Sequence, residues 1–349
     1  MPVYDINVAF ATVDMRRRMK AYSEAEAVQK TQDALLVRVK GLQSGTLRVW
    51  QSKTPTDTGA DMFDLKLTLK RAEEGGVAVA HFNVSDLAVL KAVSSSARDL
   101  NVPVIVGVSE GERDFIGVRQ IAALIRSIRE EFDFPIFLNA DHTHSLARAI
   151  EAAKAGFDAV AFDGSAHPLE ENAAMTRKAV EELKAINPKI LVEGEIGDIG
   201  TGSEIHDTAP DLSRSLTTPE EATQFVKSTG VDILAAAVGT LHGLFRVAPG
   251  QAHPHLDIDL IGKIKAGTGV FLTLHGGSGT ADDEFTRAIA AGMSIVHINT
   301  ELRMAWREGL EKGLAERPGD VVPYRILPYA VDAVKQVALA RMRLFNGMQ

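Results

Sequence analysis

Three histidines occupy the same kind of position in this sequence. His142, His242 and His275 each lie at or just after the end of an apolar run that is typical of a buried strand. One such histidine alone is more often a core or capping residue with a satisfied ring. Three in equivalent positions predict a ring of imidazoles around one metal ion. Imidazole nitrogen is a usual protein ligand of zinc, and a catalytic zinc keeps three protein ligands and one open position.

Two carboxylates are placed to move protons beside such a centre. Asp141 directly precedes His142, so its carboxylate would lie beside the metal and could exchange a proton with a substrate hydroxyl. The alternative is an acceptor that orients an imidazole. Glu204 belongs to the polar stretch Asp198 to Ser215, and a loop of that length often closes over a site. Glu204 would then act as a base, and a solvated surface position is the alternative.

Two strand ends offer groups that bind anions. The turn Gly276-Gly277-Ser278-Gly279 follows His275, and its backbone amides could form an anion-binding concavity, although such a turn alone is a weak signal. His297 and Asn299 are two residues apart and share one face of the last strand. Asn299 and Thr300 can donate hydrogen bonds to phosphate oxygens. Together the two ends predict a phosphate site of the kind found in α/β barrels.

Short apolar runs alternate with helical patterns along most of the chain. The runs that we predict as strands are 77–82, 102–108, 135–140, 159–162, 190–192, 233–238, 270–274 and 295–298. The main helical patterns are 62–72, 86–99, 117–131, 145–155, 170–185 and 220–229, the last beginning with a capping box at Thr218. Eight such units predict a closed (β/α)8 TIM barrel, with α/β class and a parallel sheet. Its carboxyl-terminal rim would bring the three histidines together.

The first part of the chain does not follow this alternation. Residues 1–60 contain one helical pattern, Ser23 to Leu42, and the polar stretch Ser52 to Gly59. We therefore predict an N-terminal helical extension over residues 1–60 and the barrel over residues 61–349. A structural role, packing on the barrel or on a neighbouring subunit, is the expectation. A regulatory or partner-binding role is the alternative.

Composition limits the partners and the metal chemistry. The 349 residues carry 38 basic and 46 acidic side chains, a net charge of −8, so no broad field favours nucleic acid or an acidic membrane. A phosphorylated substrate therefore needs a local pocket. The chain has no cysteine, so any metal is held by nitrogen and oxygen. The sequence shows neither a secretory signal nor an apolar run long enough for a membrane span, and we expect a cytoplasmic protein.

A series of motifs resembles a known family. In chain order they are Phe82-Asn83-Val84, Val108-Ser109-Glu110-Gly111, Asp141-His142, Phe162-Asp163-Gly164-Ser165, Glu193-Gly194-Glu195-Ile196-Gly197, Gly239-Thr240-Leu241-His242-Gly243, His275-Gly276-Gly277-Ser278-Gly279 and Asn299-Thr300-Glu301-Leu302-Arg303. From about Met62 to Phe345 the chain resembles the class II, zinc-dependent fructose-bisphosphate aldolases. That family includes tagatose-bisphosphate and related ketose-phosphate aldolases.

The resemblance implies roles for individual residues. His142, His242 and His275 correspond to the zinc ligands, and Asp141 to the acid/base that handles the substrate C4 hydroxyl. Glu195 and Asp163 resemble carboxylates near a second metal position. Glu204 resembles the mobile-loop glutamate that moves the C3 proton of dihydroxyacetone phosphate, in an alignment that needs one inserted residue. The phosphate cradle corresponds to Gly243, Gly276, Gly277, Ser278, Asn299 and Thr300.

The resemblance implies further ligands and also shows two departures. Backbone carbonyls of Leu241, Gly243 and Gly276 correspond to those that often hold a monovalent cation (Na⁺ or K⁺), and Ser109 resembles a residue that faces the substrate. His297 stands where the family usually has an asparagine that touches the dihydroxyacetone part of the substrate. Arg246 stands where a lysine usually meets phosphate, which keeps the charge and changes the geometry.

Together with these residues, the resemblance implies a zinc-dependent lyase of carbohydrate metabolism. It would cleave a ketose phosphate reversibly to dihydroxyacetone phosphate and an aldehyde, with fructose 1,6-bisphosphate as the default glycolytic substrate and glyceraldehyde 3-phosphate as the aldehyde. Tagatose bisphosphate or another ketose 1-phosphate is the alternative substrate. A non-catalytic sugar-phosphate-binding barrel, which His297 and residues 1–60 suggest, is the alternative class. We expect a homo-oligomer, a dimer or larger.

Overall fold

The computed structural model describes residues 3–10, 13–20, 46–51, 63–200, 205–206, 216–245 and 255–348. The chain divides into two compact units, Met1–Met62 and Phe63–Gln349.

The described part of the first unit is an antiparallel sheet. Strands β1 (Val3–Phe10), β2 (Val13–Lys20) and β3 (Thr46–Gln51) pair in the order β2-β1-β3. None of these strands was predicted from the sequence, so the prediction of a helical extension was incomplete. Apolar residues alternate in β1, whereas in β2 three consecutive arginines interrupt the alternation of Val13, Met15 and Met19. The predicted helix Ser23 to Leu42 lies outside the described residues.

The second unit contains a closed barrel of parallel strands, which confirms the predicted (β/α)8 fold. In chain order its strands are β4 (Val79–Asn83), β5 (Val104–Val108), β6 (Ile136–Thr143), β7 (Ala159–Phe162), β8 (Leu191–Ile196), β10 (Ile233–Ala236), β12 (Phe271–Leu274) and β13 (Met293–Ile298). Pairing of β13 with β4 closes the ring. A separate pair of two-residue strands, β9 (Ile205–His206) and β11 (Leu244–Phe245), lies outside the barrel sheet.

Helices follow the strands and cover them. They are α1 (Leu65–Glu74), α2 (Leu87–Leu100), α3 (Glu110–Ile116), α4 (Val118–Phe132), α5 (Leu146–Ala155), α6 (Leu169–Ile186), α7 (Pro219–Thr229), α8 (Ile258–Thr268), α9 (Asp282–Ala290), α10 (Thr300–Glu316) and α11 (Pro323–Phe345). The predicted start of α7 is confirmed: Thr218 and Glu221 form a capping box around Pro219, and Gly230 ends the helix with φ 73°. Among the described helices, none is both long and apolar enough to cross a bilayer.

The interior of the barrel changes from apolar to polar along its strands. The amino-terminal end is filled by Val79, Ile105, Phe137, Ala159, Leu191, Ile233 and Ile295, against which Leu65, Leu69 and Ala72 of α1 pack. Successive strand residues point to opposite faces, so the residue two positions further along also points inward. Those positions include the buried His81, Asn139, Glu193, Thr273 and His297. Polar groups therefore support the carboxyl-terminal rim, where the active sites of such barrels lie.

Candidate active site

Strand β6 carries a bulge at Asp141 and His142. Its pairing with β7 shifts between Ala140 and Thr143, and β6 contains one residue more than β7 over this step. His142 has a φ of 39°, in the left-handed region that non-glycine residues rarely adopt. A regular strand would send two neighbouring side chains to opposite faces, whereas a bulge redirects one of them. Both Asp141 and His142 consequently line the same cavity.

The three histidines predicted to meet do converge at this rim. His142 Nε2 lies 3.2 Å from His242 Nε2 and 3.2 Å from His275 Nδ1. The ring planes make angles of 70°, 75° and 81° with one another, so the nitrogens approach a common centre from different directions. Four-coordinate zinc, with bonds of about 2.0–2.1 Å to nitrogen, places its ligands about 3.3 Å apart. The spacing therefore fits one divalent ion.

The outward nitrogen of each histidine faces an acceptor. His275 Nε2 lies 2.7 Å from Glu193 Oε1, His242 Nδ1 lies 2.9 Å from the carbonyl of Gly200, and His142 Nδ1 lies 3.2 Å from Asp163 Oδ2. These acceptors favour protons on the outward nitrogens and lone pairs on the three inward ones. Such partners are typical of metal-binding histidines. Three converging lone pairs repel one another unless a cation lies between them, so the donor set fits a metal.

The surrounding charges also favour a cation. Burial alone would lower the pKa of His142, but Asp141, Asp163 and Glu195 outweigh it and raise that pKa well above its ordinary value. Burial, with the imidazoles of His142 and His275, lowers the pKa of His242 to about 4, so this ring is neutral and available as a ligand at pH 7. Asp163 and Glu195 approach His142 Nδ1, at 3.2 and 3.4 Å.

Two other groups of potential ligands do not have metal geometry. His81, Asp141 and His297 lie within reach of one another, as do Glu193, His275 and His297. The rings of His81 and His297, however, are stacked with centroids 3.5 Å apart and an interplanar angle of 10°, and those of His297 and His275 with centroids 4.0 Å apart and an angle of 28°. Nitrogen lone pairs lie in the ring planes, so nearly parallel stacked rings cannot both direct them at one ion.

The stacked histidines form the floor of the site. His297 is held between His81 and the ring of His275. The packing depends on Gly107, because a Cβ atom there would lie 2.0 Å from His81. Asn139 Nδ2 lies 3.1 Å from His81 Nε2, and burial lowers the pKa of His81 to about 4. The floor is therefore an uncharged, rigid support for the ring of His275.

Asp141 is held as a carboxylate beside the histidines. Asn83 donates a hydrogen bond of 2.8 Å to Asp141 Oδ2 and another of 3.0 Å to Glu112, which fixes the orientation of the amide. Burial would raise the pKa of Asp141, but His142 and the Asn83 hydrogen bond are among the groups that hold it well below its usual range. The second oxygen, Oδ1, lies 3.6 Å from His297 Nδ1 and has no hydrogen-bond partner. Asp141 can therefore accept a proton through that oxygen.

The predicted phosphate cradle faces the same cavity. Gly276 has a φ of 65°, and a Cβ there would lie 2.6 Å from the Leu241 carbonyl group, so only glycine fits this turn. At Gly277 a Cβ would lie 2.8 Å from the carbonyl oxygen of His297. Helix α10 begins at Thr300 beside these glycines, and a helix amino terminus attracts anions.

The cavity brings together most of the predicted site residues. It is lined by Asn83, Asp141, His142, His242, Gly243, His275, Gly276, Gly277, Ser278, His297, Asn299 and Thr300. Ser109 is not in this lining. Its hydroxyl caps α3 by accepting a hydrogen bond from the backbone of Glu112, and its substrate role stays a prediction. Glu204 and Arg246 lie outside the described residues.

Several residues of the site were given no role by the sequence analysis. They are His81, Asn83, Glu112, Arg113, Asn139 and Glu193. Glu193 and Glu195 are two apart in β8, so the alternation of that strand does place both inside the barrel. The same rule, counted back from Asn83 and from Asp141, identifies His81 and Asn139 as inward-facing. Glu112 and Arg113 belong to the helix α3, which was not predicted.

Comparison with known proteins identifies the family of this chain. Residues 63–349 match the family described as fructose-bisphosphate aldolase class-II. A fructose-bisphosphate aldolase of Geobacillus stearothermophilus is 33% identical over 289 residues, which cover 82% of this chain and 97% of that protein. A probable fructose-bisphosphate aldolase of Bacillus subtilis is 33% identical over 282 residues, with 80% and 95% coverage.

A solved structure shares both the fold and part of the sequence. The crystal structure of the YdjI aldolase from Escherichia coli K12 superposes with a TM-score of 0.68 at 26% identity, covering 81% of this chain and 96% of that one. The family match spans the whole barrel unit. The chain belongs to the class II fructose-bisphosphate aldolase family and is a lyase.

Proposed function

We propose that this protein is a zinc-dependent aldolase that reversibly cleaves a ketose (bis)phosphate. The proposed reaction converts fructose 1,6-bisphosphate to dihydroxyacetone phosphate and glyceraldehyde 3-phosphate. The observation that carries the proposal is the convergence of His142, His242 and His275, within one cavity that also holds Asp141 and the glycine turn. The names of the two bacterial relatives support fructose bisphosphate as the substrate.

In this proposal the three inward imidazole nitrogens would hold zinc. When bound there, zinc would supply a Lewis acid for the substrate carbonyl and for the negative charge that carbon–carbon cleavage leaves. Glu193, Asp163 and the Gly200 carbonyl orient the imidazoles by accepting their outward protons. Asp163 and Glu195 are the proposed ligands of a second metal position, beside His142.

Asp141 is the proposed acid/base of the cleavage. Its free oxygen Oδ1 accepts the proton of the substrate C4 hydroxyl in cleavage and returns it in condensation. Asn83 keeps the other oxygen occupied, so the carboxylate presents a defined face to the substrate. Glu204 is the proposed base for the C3 proton.

The turn after β12 and the start of α10 form the proposed phosphate site. Backbone amides of Gly276, Gly277 and Ser278, together with Asn299 and Thr300, donate to the phosphate oxygens, and Gly243 and Arg246 complete the cradle. Carbonyl groups of Leu241, Gly243 and Gly276 would hold a monovalent cation near it. The net charge of −8 makes such local donors necessary for a phosphorylated ligand.

His297 favours a second candidate within the same enzyme class. It places a rigid ring in the cavity, with a buried Nε2 that has no hydrogen-bond partner. A different ketose phosphate, such as tagatose bisphosphate, would present its hydroxyl groups differently to this ring. A sugar-phosphate-binding barrel without turnover is the remaining alternative. The presence of Asp141 together with all three histidines argues against it.

A substrate panel with metal analysis tests the proposal. The purified full chain is loaded with zinc and assayed for dihydroxyacetone phosphate release from fructose 1,6-bisphosphate, tagatose 1,6-bisphosphate and ketose 1-phosphates, with and without a chelator. We expect release that the chelator abolishes and that zinc restores. Tight binding of these sugars, with no release of dihydroxyacetone phosphate from any of them, would instead identify the protein as a non-catalytic sugar-phosphate-binding barrel.

We further propose that the protein acts in the cytoplasm, in glycolysis, as a homo-oligomer. The absence of cysteine, and so of disulfides, supports the compartment. Phe115 (79% exposed) and Leu87 (64%) are large exposed apolar side chains that an interface between subunits would cover. Sedimentation equilibrium of the full chain tests the oligomeric state, and a monomer at micromolar concentration would contradict it.

A further inference from the structure

The backbone at His142 is strained, and the strain lies where the site needs it. Among the described residues, the other non-glycine positions with positive φ are Asn101 and Asp133, which end helices α2 and α4. Asparagine and aspartate tolerate that conformation well, and helices commonly end in it. His142 instead adopts it inside a strand. Non-glycine residues in this conformation are strained, and they persist when their surroundings hold them.

The buried side chain of Arg113 forms hydrogen bonds with the chain on both sides of His142. Arg113 Nη1 donates hydrogen bonds to the carbonyl of Asp141 at 3.3 Å and to that of Val108 at 2.8 Å. Its Nη2 donates to Thr143 Oγ1 at 3.1 Å. The guanidinium thus spans the residue before His142 and the residue after it, and ties both to the end of β5.

The hydroxyl of Thr143 links Arg113 to the other end of the bulge. Its hydroxyl accepts from Arg113 and donates to the carbonyl of Ala140 at 3.1 Å. Ala140 is the last regular pair of β6 with β7 before the register shift, and Thr143 is the first after it. The hydroxyl therefore bridges the two ends of the bulge. Arg113 and Thr143 therefore hydrogen-bond to the chain on both sides of the bulge, at the carbonyl groups of Ala140 and Asp141.

Burial destabilises the charged form of the Arg113 side chain. Its side chain is fully buried, and burial lowers the pKa of Arg113 against the opposing effect of Glu110. The carboxylate of Glu110 lies 3.8 Å away, beyond hydrogen-bond distance, and Nε has no hydrogen-bond partner. A buried cation held mainly by carbonyl groups and a hydroxyl is costly compared with an apolar side chain of the same size. We therefore attribute the presence of a buried arginine here to the backbone conformation that its hydrogen bonds hold around His142.

We propose that Arg113 is a positioning residue that holds the β6 bulge, so that Asp141 and His142 both face the metal centre. This inference rests on the proposed function, because it takes His142 as a metal ligand and Asp141 as the acid/base. It assigns to the helix α3 a role in preparing the metal site before metal binds. Without the guanidinium, His142 relaxes toward regular strand conformation and its imidazole leaves the common centre.

Arg129, in helix α4, offers a matched control that contacts the same strand. It also contacts β6, through a hydrogen bond from Nε to the carbonyl of Ile136 and an ion pair with Asp158, but at the amino-terminal end of the strand. Both arginines are largely buried, with 0% and 18% of the side chain exposed. Arg129→Met should therefore lower stability to urea without changing the metal site. Arg113→Met should change the metal site.

The experiment measures zinc affinity and cobalt absorption in the full chain. Zinc dissociation constants are measured by competition with a chromophoric chelator, and the visible spectrum of the cobalt-substituted protein reports ligand geometry. We expect Arg113→Met to weaken zinc binding about 10- to 100-fold, the usual effect of removing a group that orients a ligand, and to alter the cobalt spectrum. Arg113→Lys should recover part of the affinity, because an ammonium group can donate to the two carbonyls but lacks the fork that also reaches Thr143.

The outcomes separate this inference from the proposed function. If wild-type protein binds no zinc, the proposed function fails. If wild-type protein binds zinc and folded Arg113→Met binds it with the same affinity and cobalt spectrum, the role of Arg113 is refuted. Should Arg113→Met not fold, Thr143→Val decides: it keeps the side-chain shape and removes the bridging hydroxyl, and we expect zinc binding to weaken several-fold. Unchanged zinc binding in that variant would also refute the proposal that the hydrogen bonds of Arg113 and Thr143 hold the bulge.

Discussion

Replacement of Glu193 by glutamine tests how the barrel interior supports the metal centre. Glu193 Oε1 lies 2.7 Å from His275 Nε2, and 2% and 0% of the two side chains are exposed. Burial raises the pKa of Glu193, and Glu193 in turn raises the pKa of His275 against the effect of burial. A cation bound at Nδ1 would add positive charge to the ring, so the carboxylate should stabilise the bound state more than the free state.

The size of the effect follows from the kind of hydrogen bond that is lost. Glutamine has nearly the same shape and still offers an oxygen acceptor, so Glu193→Gln exchanges a charge-assisted hydrogen bond for a neutral one. Hydrogen bonds to charged groups contribute about 1.5–3 kcal/mol and neutral ones about 0.5–1.5 kcal/mol. The difference of about 1–1.5 kcal/mol corresponds to an affinity about tenfold weaker. Glu193→Leu leaves the Nε2–H without an acceptor and should weaken zinc binding further, to about 100-fold.

The assay is zinc competition with a chromophoric chelator, together with urea unfolding of the metal-free protein. Asp158→Asn is the matched control, since Asp158 is also a buried carboxylate and accepts hydrogen bonds from Arg129 and the amide of Leu138, but it belongs to the other end of the barrel. We expect the control to lower the free energy of unfolding and leave zinc affinity unchanged. Wild-type zinc affinity in Glu193→Gln would refute the reasoning that the carboxylate acts through His275.

Three further predictions concern the acid/base and the histidine floor. Asp141→Ala should retain zinc, measured by metal analysis, and lower kcat by about 10²–10⁴-fold because it removes the proton acceptor. His297→Phe keeps a ring between His81 and His275 but removes both nitrogens, so we expect kcat/KM to fall about tenfold with unchanged zinc affinity. His81 has a folded pKa of about 4 against 6.5 when unfolded, so it binds its proton later than the unfolded chain as pH falls. The neutral ring of His81 therefore contributes its full stability above pH 6.5, and this stability is lost as the pH falls toward 4. Between pH 7 and pH 5, the free energy of unfolding in urea should fall by about 2 kcal/mol more in wild-type protein than in His81→Gln.

Each of these predictions has a contrary result. Loss of zinc from Asp141→Ala would make Asp141 a ligand or a structural support. Unchanged kcat/KM in His297→Phe on every substrate would show that its nitrogens do not contact substrate. Equal pH dependence in wild-type protein and His81→Gln would show that His81 titrates normally in the folded protein.

Local chemistry in the sequence accounts for much of the fold and for the composition of the site. Apolar runs such as 159–162, and the capping box at Thr218, predict strands and helices because alternation and capping depend on neighbours in the chain. Repetition of that unit predicts the barrel, and the barrel rim predicts that His142, His242 and His275 meet. The strands of the first unit were missed; in β2, which pairs with β1, three consecutive arginines interrupt the apolar alternation.

Long-range pairing decided what the sequence did not predict. The stack of His81, His297 and His275 joins three strands, and it exists because closure of β13 on β4 places His297 beside His81. The bulge at His142 likewise depends on the register between β6 and β7 and on the contacts of Arg113. Residue order specifies which side chains point inward, because alternation is local. Which inward side chains touch, and at what strain, depends on strand register and ring closure, which are properties of the folded barrel.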